Sequence, residues 1–202
     1  DEEVLQALYD TGCRLLTYAP ESASEETLRQ IKKKIKIDRL IQSIRTANKI
    51  GHTTKFNIVI GFPDDTLGGI LKTAWFVFKM ALFGSEDCVV TKFSPYPGSE
   101  LYRRLRDENK IPPPDDNYIY SLAGFMDFTR TESYCKKVGG RTLSFLVIVM
   151  HAIFYSVAYL THPKRIFRIF KSLTKKHFVP SNVLEQRLCD VFMREKYSAA
   201  KN

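Results

Sequence analysis

The residues best suited to bind a ligand occupy three short segments, each rich in proline, glycine and small polar side chains. These segments are residues 20–24, 61–66 and 95–99, and each follows a strand-like run. In parallel α/β folds, ligands bind at the loops that leave the C-terminal ends of the strands. Proline and glycine fix the chain direction and let the backbone approach a ligand closely. One such segment alone is most simply an ordinary turn, but three in succession favour a shared binding site.

The spacing of the cysteines and histidines does not suggest a metal site. The chain has four widely separated cysteines, none paired at the spacing of a zinc knuckle or a redox motif: Cys13, Cys88, Cys135 and Cys189. Cys13 and Cys88 have apolar, strand-like neighbours and are predicted to be small buried hydrophobic residues. His151 has no partner ligands in its apolar run. Because no disulfide framework is apparent, a reducing compartment, the cytoplasm, is expected.

The segments that must position the three loops alternate between strand and helix. Apolar runs predict strands at residues 14–19, 55–60 and 88–94. Ser22 and Glu25 have the spacing of a capping box at the start of the first intervening helix. The second intervening helix has a predicted apolar face of Leu67, Ile70, Leu71, Ala74, Phe78, Ala81 and Leu82. This alternation predicts a parallel α/β sheet whose first strand presents an open edge.

The charge of the chain is strongly positive and unevenly distributed. There are 31 Lys and Arg against 22 Asp and Glu, a formal net charge of +9. The excess of basic over acidic residues is concentrated after Tyr134, whereas the first 110 residues are mixed in sign. A nucleic-acid-binding protein more often carries its basic stripe on the folded domain, so a membrane surface is favoured and no nucleic acid is expected. The chain begins at Asp1 without a leader and is interpreted as an excerpt of a longer protein.

The second half of the chain predicts a connector and a helical tail. Residues 111–116 break the alternation, and residues 118–134 either cover the barrel mouth or merely pack. Residues 143–160 carry no Asp, Glu, Lys or Arg; as a helix they would extend roughly 27 Å, the short limit for a membrane span. Positive charge on both sides argues against a simple span. Residues 163–173 predict an interfacial amphipathic helix, and residues 182–197 a weakly amphipathic one. The alternative is a soluble helical hairpin packed on the barrel.

Three runs of residues carry a family resemblance: Tyr-Ala-Pro-Glu-Ser-Ala-Ser at 18–24, Asn-Ile-Val-Ile-Gly-Phe-Pro at 57–63, and Phe-Ser-Pro-Tyr-Pro-Gly-Ser-Glu-Leu-Tyr at 93–102. In this order and spacing, residues 1–111 resemble the later half of the barrel of radical S-adenosylmethionine (SAM) enzymes. The most similar branch carries an upstream cobalamin-binding domain. In that family a [4Fe–4S] cluster cleaves SAM reductively, and the resulting 5′-deoxyadenosyl radical removes a hydrogen atom from the substrate.

The resemblance implies that the first loop contacts SAM through two side chains. Glu21 is similar to the polar residue that contacts the ribose or aminoacyl part of SAM. Its alternative role is that of a carboxylate stabilised at a helix N-terminus. Ser24 either assists Glu21 or simply caps the helix that follows.

The other two loops are expected to contact the adenine of SAM. Asn57, Val59 and Gly61 are similar to the strand segment that lies along the base, and Gly61 is needed there because a side chain would block close backbone contact. Pro95 and Tyr96 lie where the last strand reaches the adenine. Tyr96 is equally well explained as a packing residue.

The chain departs from the family pattern at three points. Ala23 stands where the family usually has glycine, which costs roughly 1 kcal/mol if the backbone needs a positive φ. Asp65 stands where the family usually has glutamate, so its partner must move closer. The three clustered cysteines that hold the [4Fe–4S] cluster are missing, and Cys13 would lie at the wrong end of its strand. The cluster ligands are therefore expected in an upstream segment, and this chain alone is not expected to cleave SAM.

Together these observations predict an α/β fold, namely the C-terminal half of a partial TIM-type (β/α)6 barrel with three parallel βα units and an α-helical tail. The predicted parts are the half-barrel (1–111), a connector and covering segment (112–141) and a basic, membrane-associated tail (142–202). The predicted function is that of a radical SAM enzyme fragment that binds SAM, depends on the missing N-terminal half and modifies a hydrophobic substrate. Use of cobalamin stays open. The alternatives are a non-enzymatic membrane-associated scaffold and an unrelated parallel α/β enzyme.

Overall fold

The computed structural model describes residues 1–122 and 132–173, the last five of them by backbone alone. Its sheet has three parallel strands in the order β1-β2-β3. Their bounds are β1 Leu15–Glu21, β2 Thr53–Ile60 and β3 Asp87–Lys92. The predicted fold class, three parallel βα units of a partial barrel followed by a helical tail, is confirmed. Among the described residues β1 pairs with β2 alone, so its outer edge is open, as predicted.

Eight helices are present in the described part of the chain: α1 Glu2–Asp10, α2 Glu25–Gln30, α3 Ile37–Ile50, α4 Leu67–Leu82, α5 Glu100–Asp107, α6 Asp116–Leu122, α7 Gly140–Thr161 and α8 Lys164–Leu173. The three helices that follow the candidate loops begin in the same way. Ser24, Thr66 and Ser99 each accept a hydrogen bond from the backbone N–H three residues later. Such caps satisfy N–H groups that would otherwise lack partners. The predicted capping box at Ser22 and Glu25 is therefore wrong, because Ser24 is the cap.

The two faces of the sheet differ in what covers them. Along β2 the residues alternate between buried and half-buried. Phe56, Ile58 and Ile60 are fully buried among side chains of α3, α4 and α7. Asn57 and Val59 point to the opposite face, since successive strand residues point to opposite sides. That face corresponds to the interior of the partial barrel.

Helix α4 buries only part of the predicted face, including Ile70 and Ala81, together with residues outside that face. Its buried side chains include Ile70, Phe76, Val77 and Met80. Of the predicted face, Leu67, Leu71 and Leu82 are exposed instead. The helix is apolar nearly all round, so periodicity alone does not determine which side packs. The contact with α7 decides the orientation.

Helix α7 packs on both α4 and β3. Its inward side chains join the core that the sheet and α4 form: Leu143, Val147, Met150, Phe154 and Ala158. Three hydrogen bonds tie it to β3. Lys92 Nζ donates to Ser144 Oγ at 3.2 Å, Val90 N donates to His151 Nε2 at 3.3 Å, and Tyr155 Oη donates to Asp87 Oδ1 at 2.6 Å. Because Val90 is an edge-strand residue, α7 covers the edge of β3 that no other described strand pairs with.

The connector contributes a second, smaller apolar cluster. Helices α5 and α6 pack together there through Tyr102, Leu105, Ile111, Tyr118 and Leu122. Phe93, just after β3, lies against this cluster. The first part of the predicted covering segment therefore packs beside the third loop. The residues predicted as helix at 182–197 lie outside the described part of the chain.

Candidate functional site

The three candidate loops lie at one edge of the sheet. The strands are parallel, with Glu21 opposite Ile58 in one pair and Ile60 opposite Lys92 in the other. Their C-terminal ends therefore meet on the same side, and the loops that carry Glu21, Gly61 and Pro95 leave from that side. The convergence of these three corners, on which the proposed site depends, agrees with the prediction.

Glu21 has a strained backbone at the end of β1. Its φ is +67°, a left-handed conformation that non-glycine residues rarely adopt, and the strand pairing shifts between Tyr18 and Glu21. Such strain is typical of functional sites. The Glu21 carboxylate is half-buried and accepts a hydrogen bond from Lys33 Nζ at 3.1 Å. The methyl penalty expected at Ala23 does not arise, because the positive φ falls on Glu21 and Ala23 lacks it.

A hydroxyl network holds the first loop on helix α4. Thr73 Oγ1 lies 3.1 Å from Ser22 Oγ and also accepts the Ala23 N–H at 3.1 Å. Ser22 Oγ in turn accepts the Ser24 N–H at 3.1 Å. The Ser24 hydroxyl faces the start of α2, where it accepts the Thr27 N–H at 3.4 Å. This geometry agrees with the capping role weighed for Ser24.

Asp65 connects the first and second loops. Its Oδ2 accepts the N–H groups of Gly61 and Phe62 at 2.9 and 3.0 Å. Its Oδ1 accepts the Thr27 hydroxyl at 2.8 Å. The residue is only 4% exposed. Desolvation by burial raises the pKa of this carboxyl, although its three hydrogen bonds act in the opposite direction. Asp65, which is one methylene shorter than the glutamate usual in the family, thus has two backbone amides and a hydroxyl as its partners.

Gly61 has a left-handed backbone and little room for a side chain. Its φ is +83°, and a Cβ there would lie 2.6 Å from Leu143 Cδ1 of α7. The prediction explained this glycine by close approach of a ligand. The structure supplies a packing reason instead, because the tail helix fills the space that a side chain would need.

The remaining predicted residues lie at the same edge of the sheet. Asn57 and Val59 face the barrel interior, four and two residues before Gly61. The carbonyl oxygen of Pro95 accepts a hydrogen bond from the Tyr118 hydroxyl of α6. Tyr96 is more than half exposed.

Ion pairs attach the surrounding elements to these loops. Lys32 Nζ lies 2.6 Å from Glu100 Oε2, which links the turn after α2 to α5. Asp64 of the second loop lies 2.9 Å from Arg104 Nη2 and 3.6 Å from Lys136 Nζ. These pairs are partly exposed, so each contributes little to stability. Their role is to align α5 and the connector with the loops.

A cavity of about 650 Å³ opens beside the third loop. Its walls come from the connector and include Tyr118, Ser121, Tyr134 and Lys136. Burial raises the pKa of Tyr118 to about 12, with a smaller effect from Tyr134, so this hydroxyl stays protonated at neutral pH. Tyr118 therefore joins the cavity wall to the third loop through its hydrogen bond to the Pro95 carbonyl.

Sequence reasoning missed Thr27, Lys33 and Thr73. Each contacts a candidate loop from a neighbouring helix or turn. The only signal available was a threonine on an otherwise apolar helix face, as at Thr73, which suggests a buried hydroxyl with a partner. Lys33 carried no signal, because it is one of several consecutive lysines.

The described residues do not fit an iron–sulfur cluster. Within residues 1–122 and 132–173, no group of three His, Cys, Asp or Glu side chains could hold a metal ion. Cys13, Cys88 and Cys135 are free thiols. Cys88 is buried, as predicted, and burial raises its pKa. The prediction for Cys13 is wrong because that residue is only half-buried at the start of β1.

The chain is similar in sequence to parts of known proteins. The chain is 32% identical over 102 residues to an uncharacterized methyltransferase of Pyrococcus horikoshii, a match that covers 50% of this chain and 22% of the relative. It is 25% identical over 129 residues to the oxygen-independent coproporphyrinogen III oxidase of Helicobacter pylori, covering 62% of this chain and 28% of the relative. No family model matches the sequence.

The solved structure of the Escherichia coli coproporphyrinogen III oxidase, described as a radical SAM enzyme, matches with a TM-score of 0.46 and 17% identity. The match covers 61% of this chain and 28% of that structure. These sequence similarities support the predicted resemblance to the C-terminal half of radical SAM enzymes. The chain spans less than a third of the length of each of these proteins.

Proposed function

We propose that this chain contributes the C-terminal half of a SAM-binding barrel in a radical SAM enzyme. The observation that carries the proposal is the convergence of three loops at one sheet edge, with a strained, half-buried carboxylate at Glu21. Local strain at a strand end is costly and persists where the fold uses it. The resemblance to radical SAM enzymes suggests that the ligand bound at this edge is SAM.

The residues at the edge suit the chemistry of SAM. The Glu21 carboxylate accepts hydrogen bonds, which suits the ribose hydroxyls or the ammonium group of SAM. Lys33 lies beside it and would orient the carboxylate through its hydrogen bond. Asn57 offers an amide on the barrel interior, and Val59 an apolar surface, both suited to the adenine ring. Asp65 holds the backbone of Gly61, and Tyr118 holds the backbone of Pro95, so the backbone is fixed on either side of these two residues.

The radical chemistry itself would require groups from outside the described residues. Bound SAM supplies the 5′-deoxyadenosyl group, and a [4Fe–4S] cluster held by an upstream segment would supply the electron. The part of this chain that is described binds and orients the nucleotide in this proposal, and it does not hold the cluster.

The substrate, the reaction type and any use of cobalamin belong to the complete protein. A methyltransferase among the relatives is compatible with methyl transfer. A hydrophobic substrate is suggested by the apolar tail, and the free thiols suggest a cytoplasmic protein. The alternative is a non-enzymatic, membrane-associated scaffold that keeps half a barrel, for which the exposed apolar residues of α7 are the supporting observation.

The test uses a longer protein that includes the segment encoded upstream of Asp1, reconstituted anaerobically with iron and sulfide. Equilibrium binding of SAM and formation of 5′-deoxyadenosine are measured for Glu21→Gln and for Glu25→Gln, an exposed glutamate four residues later. We expect Glu21→Gln to weaken SAM binding by about tenfold or more, the range for a lost hydrogen bond to a charged group.

Glu25→Gln is expected to bind SAM like the parent protein. Equal binding by both variants would remove Glu21 from the site. Failure of the parent protein to bind SAM would contradict the whole proposal and favour the scaffold.

A further inference from the structure

Helix α7 leaves a long apolar face uncovered. With one side in the core, its other side exposes Phe145, Ile148, Ile153 and Leu160, of which Phe145 is 64% and Leu160 79% exposed. The helix is long and apolar enough to cross a membrane by length and composition. From Phe145 to Leu160 the exposed face runs roughly 22 Å at 1.5 Å per residue. Large exposed apolar patches mark sites of association.

The neighbouring helix α4 adds to this surface. Leu67, Leu71 and Trp75 are exposed on its outer side, and Trp75 is 60% exposed. The Trp75 ring stacks on Phe78 with 5.0 Å between ring centroids. Tryptophan is enriched at the boundary between hydrocarbon and headgroups, because its ring is apolar and its N–H is polar. Since α4 and α7 pack together, their outer sides form adjoining parts of one face of the protein.

Helix α8 is attached to the sheet side through Arg165, while Ile166 and Phe167 are exposed. Arg165 is buried and donates to the carbonyl oxygens of Ser85 and Gly84 at 3.0 and 2.8 Å. Arg165 and Arg168 both pair with Glu86. Phe167, between them, is 73% exposed. A helix that packs as part of a soluble core shows the opposite arrangement, with its apolar side inward.

The charged residues within the three helices of this face all have the same sign. Helices α4, α7 and α8 contain no Asp or Glu and seven basic residues, namely Lys72, Lys79, Arg141, Lys164, Arg165, Arg168 and Lys171. Glu86 pairs with two of the seven, Arg165 and Arg168. An apolar face with basic neighbours complements an anionic lipid surface, where each basic residue near the headgroups adds to the attraction.

We propose that the outer sides of α4, α7 and α8 form a docking surface for an anionic bilayer, on which α7 lies flat instead of spanning. A span would remove Leu143, Val147 and Phe154 from the core and break the hydrogen bonds of Ser144, His151 and Tyr155 to β3. A flat helix keeps all of these contacts and inserts only its outer side chains. The docking surface goes beyond SAM binding and is independent of it.

The only tryptophan of the chain provides a direct probe, because Trp75 lies on the proposed surface. The full 202-residue chain is mixed, without SAM, with vesicles of phosphatidylcholine alone or phosphatidylcholine with phosphatidylglycerol. We expect the Trp75 emission to shift to shorter wavelength, and the protein to sediment, only with the anionic vesicles. Lipids brominated near the headgroup are expected to quench Trp75 more strongly than lipids brominated at the chain end.

Two matched pairs of variants separate the surface from general electrostatics. Arg141→Glu with Lys164→Glu is compared with Lys34→Glu with Lys49→Glu, which makes the same change in net charge on exposed sites of the barrel. The first pair is expected to lower vesicle binding by about 30-fold, and the second by much less. Both changes in the first pair put a carboxylate in the first turn of a helix, where it stabilises the helix. Phe145→Glu is compared in the same way with Val4→Glu, an exposed valine of α1.

Each of the following results would overturn the proposal. One is the absence of sedimentation and emission shift with anionic vesicles, which would mean that a protein segment covers the face. Another is equal loss of binding in the paired variants. A third is resistance of the membrane-bound chain to carbonate washing, which would indicate a span. None of these results bears on SAM binding.

Discussion

Asp65 offers the sharpest test of how the candidate site is held together. Its two carboxylate oxygens serve different loops, with Oδ2 on the Gly61 and Phe62 amides and Oδ1 on the Thr27 hydroxyl. Asp65→Ala would leave two buried N–H groups without a partner. Each such group costs about 1–3 kcal/mol, so we expect the free energy of unfolding to fall by about 3–4 kcal/mol.

Asp65→Asn should be much milder, because an amide keeps one oxygen. The oxygen of Asn can face the Gly61 and Phe62 amides while its NH2 group donates to Thr27, whose hydroxyl also accepts. We expect a loss of about 1 kcal/mol, the difference between a charged and a neutral acceptor. Asp64→Asn is the matched control, since that neighbouring carboxylate is part-exposed and makes surface ion pairs. It should cost less than about 1 kcal/mol.

The pH dependence gives a second readout for Asp65. Burial raises its pKa in the folded protein above the ordinary value of 3.8. The folded state therefore binds the proton more tightly, and stability falls as pH rises from about 4 through the raised pKa. The Asn variant should lack this part of the fall. Chemical denaturation across this pH window measures both effects. Equal losses for the Ala and Asn variants, or an unchanged pH profile, would refute the role given to the carboxylate.

Two further predictions concern the tail helix. Gly61→Ala should lower the free energy of unfolding by about 2 kcal/mol or more because of its positive φ and the clash with Leu143. Leu143→Ala removes the clash but leaves a cavity in the core, so the double variant should lose less stability than the sum of the two single variants, while the φ strain remains. Thermal denaturation of the single and double variants measures this, and strictly additive losses would contradict the clash. Tyr155→Phe should cost about 1–2 kcal/mol by removing a donor to buried Asp87. Burial, and to a lesser extent the Asp87 carboxylate, raises the pKa of Tyr155. The parent protein should therefore lose stability above pH 10 relative to the Phe variant. Parallel curves of stability against pH for the two proteins would contradict this.

Much of the architecture followed from local pattern. Apolar runs followed by loops of proline, glycine and small polar residues are enough to predict βα units, and short connections make their strands parallel neighbours. The loops at residues 20–24, 61–66 and 95–99 could therefore be assigned to one sheet edge. The resemblance to radical SAM enzymes was visible for the same reason, because its motifs are these loops.

The sequence by itself determined the order of the strands, the common edge of the candidate loops and the apolar, basic character of the tail. The tertiary structure decided the strained backbone of Glu21, the partners of Asp65, the reason for Gly61 and the buried sides of α4 and α7. These features depend on contacts between residues far apart in the chain, such as Leu143 with Gly61 or Thr73 with Ala23. For helices that are apolar on nearly every side, hydrophobicity does not choose a face. Close packing against a particular neighbour does.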